Sequence, residues 1–261
     1  MAMTQSERRR WLIEYLLKEG KDRLDTRGID QLWETEEGEK QLLRALFNVR
    51  PPEPASEEFF RIQDAYLQDE IAAMGITQAD QVPEIAPGIR LWRGDITSLA
   101  CDAIVNAANE FMLGCFIPNH RCIDNAIHTY AGVQLRLRCA ELMNEQGYPE
   151  PTGRAKITDG YNLPARHILH TVGPIVTGAV TDRDRRLLED CYISCLDLAW
   201  ENGLRQVAFC CISTGEFHFP NVLAAQIAVA AVNSWRRGRE AMQVIFNVFK
   251  EEDYVIYEAE I

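Results

Sequence analysis

Apolar residues recur at helical spacing in the first third of the chain and in short strand-like runs after it. Residues 6–19 place Trp11, Leu12, Tyr15, Leu16 and Leu17 on one side, and Gly20 ends that pattern. A second helical stretch, 38–49, carries Leu42, Leu43, Leu46 and Phe47 and runs into Pro51 and Pro52, whose rings cannot continue a helix. A third begins after Ser56, a suitable N-cap, and sets Phe59, Phe60, Ile62, Ala65, Tyr66 and Ile71 in register before Gly75. No strand pattern is visible up to about residue 85. The acidic stretch 34–39 reads as a solvated loop.

From residue 89 the pattern changes. Short apolar runs at 89–92, 103–107, 154–158, 167–172, 207–212 and 244–249 read as strands. They alternate with helical stretches at 122–130, 134–146, 184–201, 220–237 and 251–259. Alternation predicts an α/β fold with a largely buried, mostly parallel or mixed sheet. Ligands of such sheets bind beyond the carboxyl ends of strands, so the loops that follow strands are the places to search.

Composition narrows the class. The 261 residues are 47% hydrophobic and 25% charged, which suits one large globular domain or a domain plus an extension. No apolar run approaches the roughly 18–20 residues that span a bilayer, and the N-terminus lacks a signal-peptide core, so a cytoplasmic protein without a membrane partner is expected. A formal net charge of −12 offers no basic surface for nucleic acid. Arg8, Arg9 and Arg10, like Arg236, Arg237 and Arg239, read as solvated helix faces or ends. Any anionic ligand must then be captured by local backbone donors. Of the eight cysteines, Cys191 and Cys195 lie four apart on a helix and Cys210 and Cys211 in a strand, positions that suit small buried hydrophobes rather than disulfides.

Four loops that follow strands carry polar chemistry. Asp95, in Gly94-Asp95-Ile96-Thr97, either caps its own turn or accepts from an exocyclic amine, with Ile96 offering a backbone donor. Asn106 and Asn109 bracket two alanines that permit close backbone approach, and an Asn amide serves a sugar hydroxyl or its own turn. In Ser213-Thr214-Gly215-Glu216-Phe217, Gly215 allows positive φ, and the N–H groups lie ahead of a helix that Pro220 would open at its first position. His170 is read as a satisfied core histidine.

Together these loops resemble the macrodomain family, which binds ADP-ribose. The matching words are GDIT at 94–97, VNAAN at 105–109, GYNLPARHILHTVGP at 160–174 and ISTGEFHFP at 212–220. The resemblance spans about 89–261 and implies a three-layer α/β/α architecture around a mixed, mostly parallel sheet, with 86–261 as the macrodomain and 1–85 as an all-helical N-terminal extension. The nearest likeness is to MacroD-type hydrolases, whose glycine run precedes Val-Asp-Gly-Ala-Ile-His; Ile123-Asp124-Asn125-Ala126-Ile127-His128 stands there in this chain.

The glycine run itself is missing. Cys115, His120 and Cys122 stand in its place as Cys-x4-His-x-Cys, with Pro118 restricting the backbone between them. Soft and borderline ligands in one short segment suit zinc, and three of them suit a catalytic ion with an open position; the spacing alone also allows a free thiol pair. The arrangement looks like the zinc-dependent bacterial subgroup, which implies one Zn2+ per chain on Cys115, His120 and Cys122. His128 is read as packing rather than as a fourth ligand.

The resemblance further implies roles for single residues. Asp95 and Ile96 would meet adenine; Ser213, Thr214, Gly215, Glu216 and Phe217 would give main-chain N–H groups to the diphosphate. Asn109 would hold the proximal ribose, beside Cys122 and Ile123, and Asp124 would orient a hydroxyl or water near the anomeric carbon. Asn109 and Asp124 are the catalytic candidates. Phe249 either stacks on adenine or fills the core. The expected activity is zinc-dependent hydrolysis of mono-ADP-ribose from a modified protein, by a monomer. A non-catalytic reader, or a hydrolase of O-acyl-ADP-ribose or ADP-ribose 1″-phosphate, stays open.

Overall fold

In the computed structural model, which describes residues 3–24 and 29–261, the chain opens with three helices: α1 (Gln5–Glu19), α2 (Glu36–Val49) and α3 (Glu57–Met74). Each begins where a hydroxyl side chain accepts from the first turn, Thr4 from Glu7, Thr35 from Gly38 and Ser56 from Phe59. Their apolar stripes close on a separate small core that includes Leu12, Leu16, Leu43, Phe47, Phe59 and Ile62. The acidic stretch is not a solvated loop. It spans the end of a 3-10 turn (Ile29–Glu34) and the start of α2, and Glu39 is buried with both carboxylate oxygens paired, to Arg9 at 2.9 Å and Arg10 at 2.7 Å. Arg9 is correspondingly buried, so the arginine triplet is not a purely solvated face.

The rest of the chain follows as β1 (Thr77–Gln78), β2 (Glu84–Ala86), β3 (Ile89–Arg93), β4 (Leu99–Ala100), β5 (Ala103–Ala108), α4 (Ile123–Ala131), α5 (Val133–Gln146), β6 (Ala155–Asp159), β7 (His167–Val172), α6 (Asp182–Glu201), β8 (Gln206–Phe209), α7 (Asn221–Arg236), β9 (Gln243–Val248) and α8 (Glu251–Glu260). Three strands escape sequence reading, β1, β2 and β4, because two or three residues carry no period. β1 and part of β2 fall where no strand was expected. The strand expected at 207–212 ends at Phe209, where the chain turns into the loop before α7.

Seven strands form one sheet in the order β2-β3-β9-β8-β5-β7-β6. The five central strands are parallel, while β2 and β6 add antiparallel edges. Side-chain alternation sorts the two faces. Asn106 lies beside His170 in register, and that face meets α4, where His128 sits 6.2 Å from His170 between ring centroids. The opposite parity carries Phe209, which packs on Tyr192 of α6 at 4.9 Å. The expected three layers are therefore present. From β5 the chain runs to β6 and β7 on one side and then returns to β8 and β9 on the other, placing the switch point between β5 and β8. Among the described residues no helix is long and apolar enough to cross a membrane.

Candidate active site

Asn109 and Asp124 meet at that switch point. Asn109 follows the last residue of β5, and its Nδ2 reaches Asp124 Oδ2 at 3.3 Å and Gly114 O at 3.1 Å. Asn106 Nδ2 donates to the other carboxylate oxygen at 2.8 Å. Asp124 sits in the first turn of α4, where the helix dipole favours negative charge, yet burial prevails and pushes its carboxyl up to about 6 despite the two amides and the Arg136 guanidinium. Phe111 N–H donates to Asn109 Oδ1 at 3.0 Å, which sets the amide so that its nitrogen faces Asp124.

The loop replacing the glycine run brings its three candidate ligands together. The donor atoms of Cys115, His120 and Cys122 all lie within 4.8 Å of one another, and all three residues are half-buried. Cys115 Sγ is 3.6 Å from His120 Nδ1. Tetrahedral zinc, with Zn–S of about 2.3 Å and Zn–N of about 2.0–2.1 Å, would hold such a pair about 3.6 Å apart, so donor chemistry and spacing both fit the metal. Cys122 is also the N-cap of α4, its sulfur accepting from Asn125 N at 3.4 Å; burial holds its thiol up at about 12, with Asn125 opposing. A second cluster, His128, Cys139 and His170, is closed and buried. His170 has both nitrogens engaged, by Asn106 at 3.2 Å and Thr158 at 2.9 Å, and burial pulls it down to about 3, so it is the satisfied core histidine expected. His128 stands apart from the three loop ligands and packs under Gly114. A Cβ at Gly114 would lie 2.8 Å from that ring, and the backbone there has φ +80°. Neither ring nitrogen of His128 has a hydrogen-bond partner among the described residues.

The loop from Ser213 to Phe217 leads from β8 into α7. Among the described residues, the N–H groups of Ser213, Gly215, Glu216 and Phe217 have no acceptor within the protein, and a Cβ built on Gly215 would meet nothing within 4 Å. Thr214 N reaches Cys211 O only at 3.4 Å. Positive φ falls on Ser213 (65°) and His218 (56°), not on Gly215, and Pro220 is the N-cap of α7 rather than its first residue. Gly173 presses on this loop: a Cβ there would sit 2.0 Å from Ser213 Oγ. Glu216 Oε1 is 3.7 Å from His120 Nε2, so the carboxylate turns to that imidazole.

At the other end, Asp95 Oδ1 accepts from Thr97 N at 2.9 Å and from Thr97 Oγ1 at 2.6 Å, which leaves Oδ2 for another partner. Ile96 is buried behind it. Gly94 N donates to Val248 O at 3.1 Å, tying the Asp95 turn to the end of β9 and thus to Phe249. Phe249 is 77% exposed, which removes the core-packing alternative. Residues that sequence reading did not single out for the site complete it. Asn125 donates to Cys115 O at 3.4 Å and Ile117 O at 3.1 Å, Arg136 to Leu113 O at 2.7 Å, and Arg44 and Asn48 reach the same loop from α2. Nothing local marks them. For Arg44, Asn48 and Arg136 the partners lie in other segments of the chain.

This fold, and a cleft so built, place the chain in the macro domain family, whose family model matches residues 105–228. A protein-ADP-ribose hydrolase of Treponema medium is 56% identical over 98% of both chains. One from Staphylococcus aureus strain MSSA476 is 49% identical over 87% of this chain and 84% of that protein. The Trypanosoma brucei macrodomain in complex with ADP-ribose is similar in structure, with a TM-score of 0.63, 32% identity, and coverage of 83% of this chain and 94% of that one.

Proposed function

We propose that this chain releases mono-ADP-ribose from modified protein side chains, with zinc held by Cys115, His120 and Cys122, a helical region 1–85 and a macrodomain at 86–261. The observation that carries the reading is the convergence of the three-ligand loop with Asp124, which stands two residues beyond Cys122 and is gripped by Asn106 and Asn109. The names of the two bacterial relatives support the activity.

The chain's own groups divide the work. Asp95 Oδ2 accepts from the adenine amine, the Ile96 N–H faces the base, and Phe249 stacks on it. The unpartnered N–H groups of the loop from Ser213 to Phe217 hold the diphosphate, with Thr214 completing the run, and this capture needs no positive net charge. Glu216 takes part through its backbone, since its carboxylate is turned to His120. Asn109 positions the proximal ribose next to Cys122 and Ile123. Asp124, with both oxygens aimed by amides, orients a hydroxyl or water at the anomeric carbon and holds or takes its proton. Zinc held by Cys115, His120 and Cys122 would supply Lewis acidity, tempered by its two thiolate ligands.

The test is a release assay on aspartate-, glutamate- and serine-linked mono-ADP-ribosyl protein, coupled to metal analysis. About one zinc per chain is expected in the native protein, with neither zinc nor release in Cys115→Ala. Full turnover by metal-free Cys115→Ala overturns the zinc-dependent reading. Intact ADP-ribose binding without release from any substrate would make the chain a reader.

A further inference from the structure

We infer that helix α2 is part of the metal site: Arg44 and Asn48 are positioning residues that hold the peptide groups around His120, so the helical region sets how tightly the cation is bound. The inference rests on the zinc reading above and concerns residues that touch neither cation nor substrate.

The loop needs an external support. The segment from Leu113 to Cys122 contains a single internal backbone hydrogen bond, His120 N to Ile117 O at 3.2 Å, and Asn119 within it adopts φ +55°, the left-handed region that Asn enters more readily than most residues. Two residues one turn apart on α2 hold it. Asn48 Oδ1 accepts from Asn119 N at 2.9 Å, and Arg44 Nη2 donates to His120 O at 3.1 Å. The Pro118–Asn119 and His120–Arg121 peptides, which bracket the Asn119–His120 pair, are thus clamped from the same helix.

The clamp extends to both cysteines through Asn125. Arg44 Nη2 and Nε also donate to Asn125 Oδ1, at 3.0 and 3.3 Å. That orients the Asn125 amide to give its N–H groups to Cys115 O and Ile117 O, while its backbone N–H meets Cys122 Sγ. Asn48 Nδ2 in turn donates to Thr129 Oγ1 at 2.9 Å, locking α2 to α4. Asn48 is buried, and no solvent competes for its bonds. Groups that orient ligands in this way typically change metal affinity about 10- to 100-fold when removed.

The test measures affinity for Co2+, by its thiolate charge-transfer absorption, and for Zn2+, by competition with a chromophoric chelator, in the full chain. Arg44→Met and Asn48→Leu should weaken both metals at least about tenfold, with ADP-ribose affinity of the metal-free protein unchanged. Arg44→Lys, which keeps a donor for His120 O, should recover part of the affinity that Arg44→Met loses. Leu16→Ala, which loosens the same helical core away from the loop, should lower Tm and leave metal affinity alone. Native affinity in Arg44→Met and Asn48→Leu, or a loss merely tracking Tm as in Leu16→Ala, overturns the inference and leaves the zinc reading standing. Failure of the native chain itself to bind either metal overturns the zinc reading, and this inference with it.

Discussion

Asn106 Nδ2 donates to Asp124 Oδ1 across 2.8 Å, which joins the interior of β5 to the first turn of α4 and aims a buried carboxylate into the cleft. Asn106 is fully buried and reaches both Asp124 and His170, so its bearing on the reacting atoms runs through Asp124. Asp124→Ala should slow release of ADP-ribose by about 10^2–10^4-fold, the usual worth of a positioned acid–base group. Asn106→Ala removes one hydrogen bond to that carboxylate, worth about 1.5–3 kcal/mol, and should slow release on the order of tenfold or more. Calorimetric binding of ADP-ribose to Asn106→Ala should match the native protein; a parallel loss of binding would mean that Asn106 shapes the whole cleft.

Two glycines near the diphosphate loop should behave oppositely. A Cβ on Gly215 enters open space, so Gly215→Ala should keep its Tm and lose ADP-ribose affinity by on the order of tenfold, about 1.4 kcal/mol. A Cβ on Gly173 would strike Ser213 Oγ, so Gly173→Ala should lose about 1–3 kcal/mol of stability from overpacking, read as a lower Tm. Unchanged ADP-ribose affinity in Gly215→Ala would place the diphosphate elsewhere.

Phe249 offers a ring with no structural duty. Phe249→Ala should leave Tm where it is, because the side chain is exposed, and should weaken ADP-ribose by about 1–3 kcal/mol if the ring stacks on adenine. A ligand lacking the base, such as ribose 5-phosphate, should not discriminate between the two proteins.

Glu39 gives the helical region an acid-sensitive joint. Burial works to raise its carboxyl, but the bonds from Arg10 and Arg9 outweigh burial and hold it below the ordinary glutamate range. A depressed folded-state value means that its stabilisation is complete above the unfolded value, about 4.3, and is lost as pH falls through the folded one. Glu39→Ala leaves the buried Arg9 its longer contact to Glu36, 3.4 Å, and should cost about 3 kcal/mol at neutral pH. Below that carboxylate range the native chain and the variant should converge in Tm; a constant gap down to strong acid would show that the pair contributes by packing.

Much of the fold was legible because helices and buried strands write their period into neighbouring residues. Among the described residues, the eight α-helices lie within about two residues of their expected bounds at each end, while strands of two or three residues, β1, β2 and β4, left no period to read. Part of the site was legible for the same local reason. Cys115, His120, Cys122 and Asp124 share one ten-residue segment, so spacing alone brought them near each other. Arg44 and Asn48 were invisible because they reach their loop partners across 76 and 71 residues. Glu39 misled, since an acidic run resembles a solvated loop until the arginines that neutralise it are located.

By itself, the sequence settled most of the elements, their alternation into an α/β fold, and which loop carries sulfur and imidazole. Those properties follow from hydrophobic period and short-range spacing. Only the tertiary structure decided that two amides converge on one carboxylate, that Phe249 stands free, and that a helix from the opening region braces the ligand loop. Each of these depends on distances between remote segments, which the burial of two separate cores determines and no local pattern encodes.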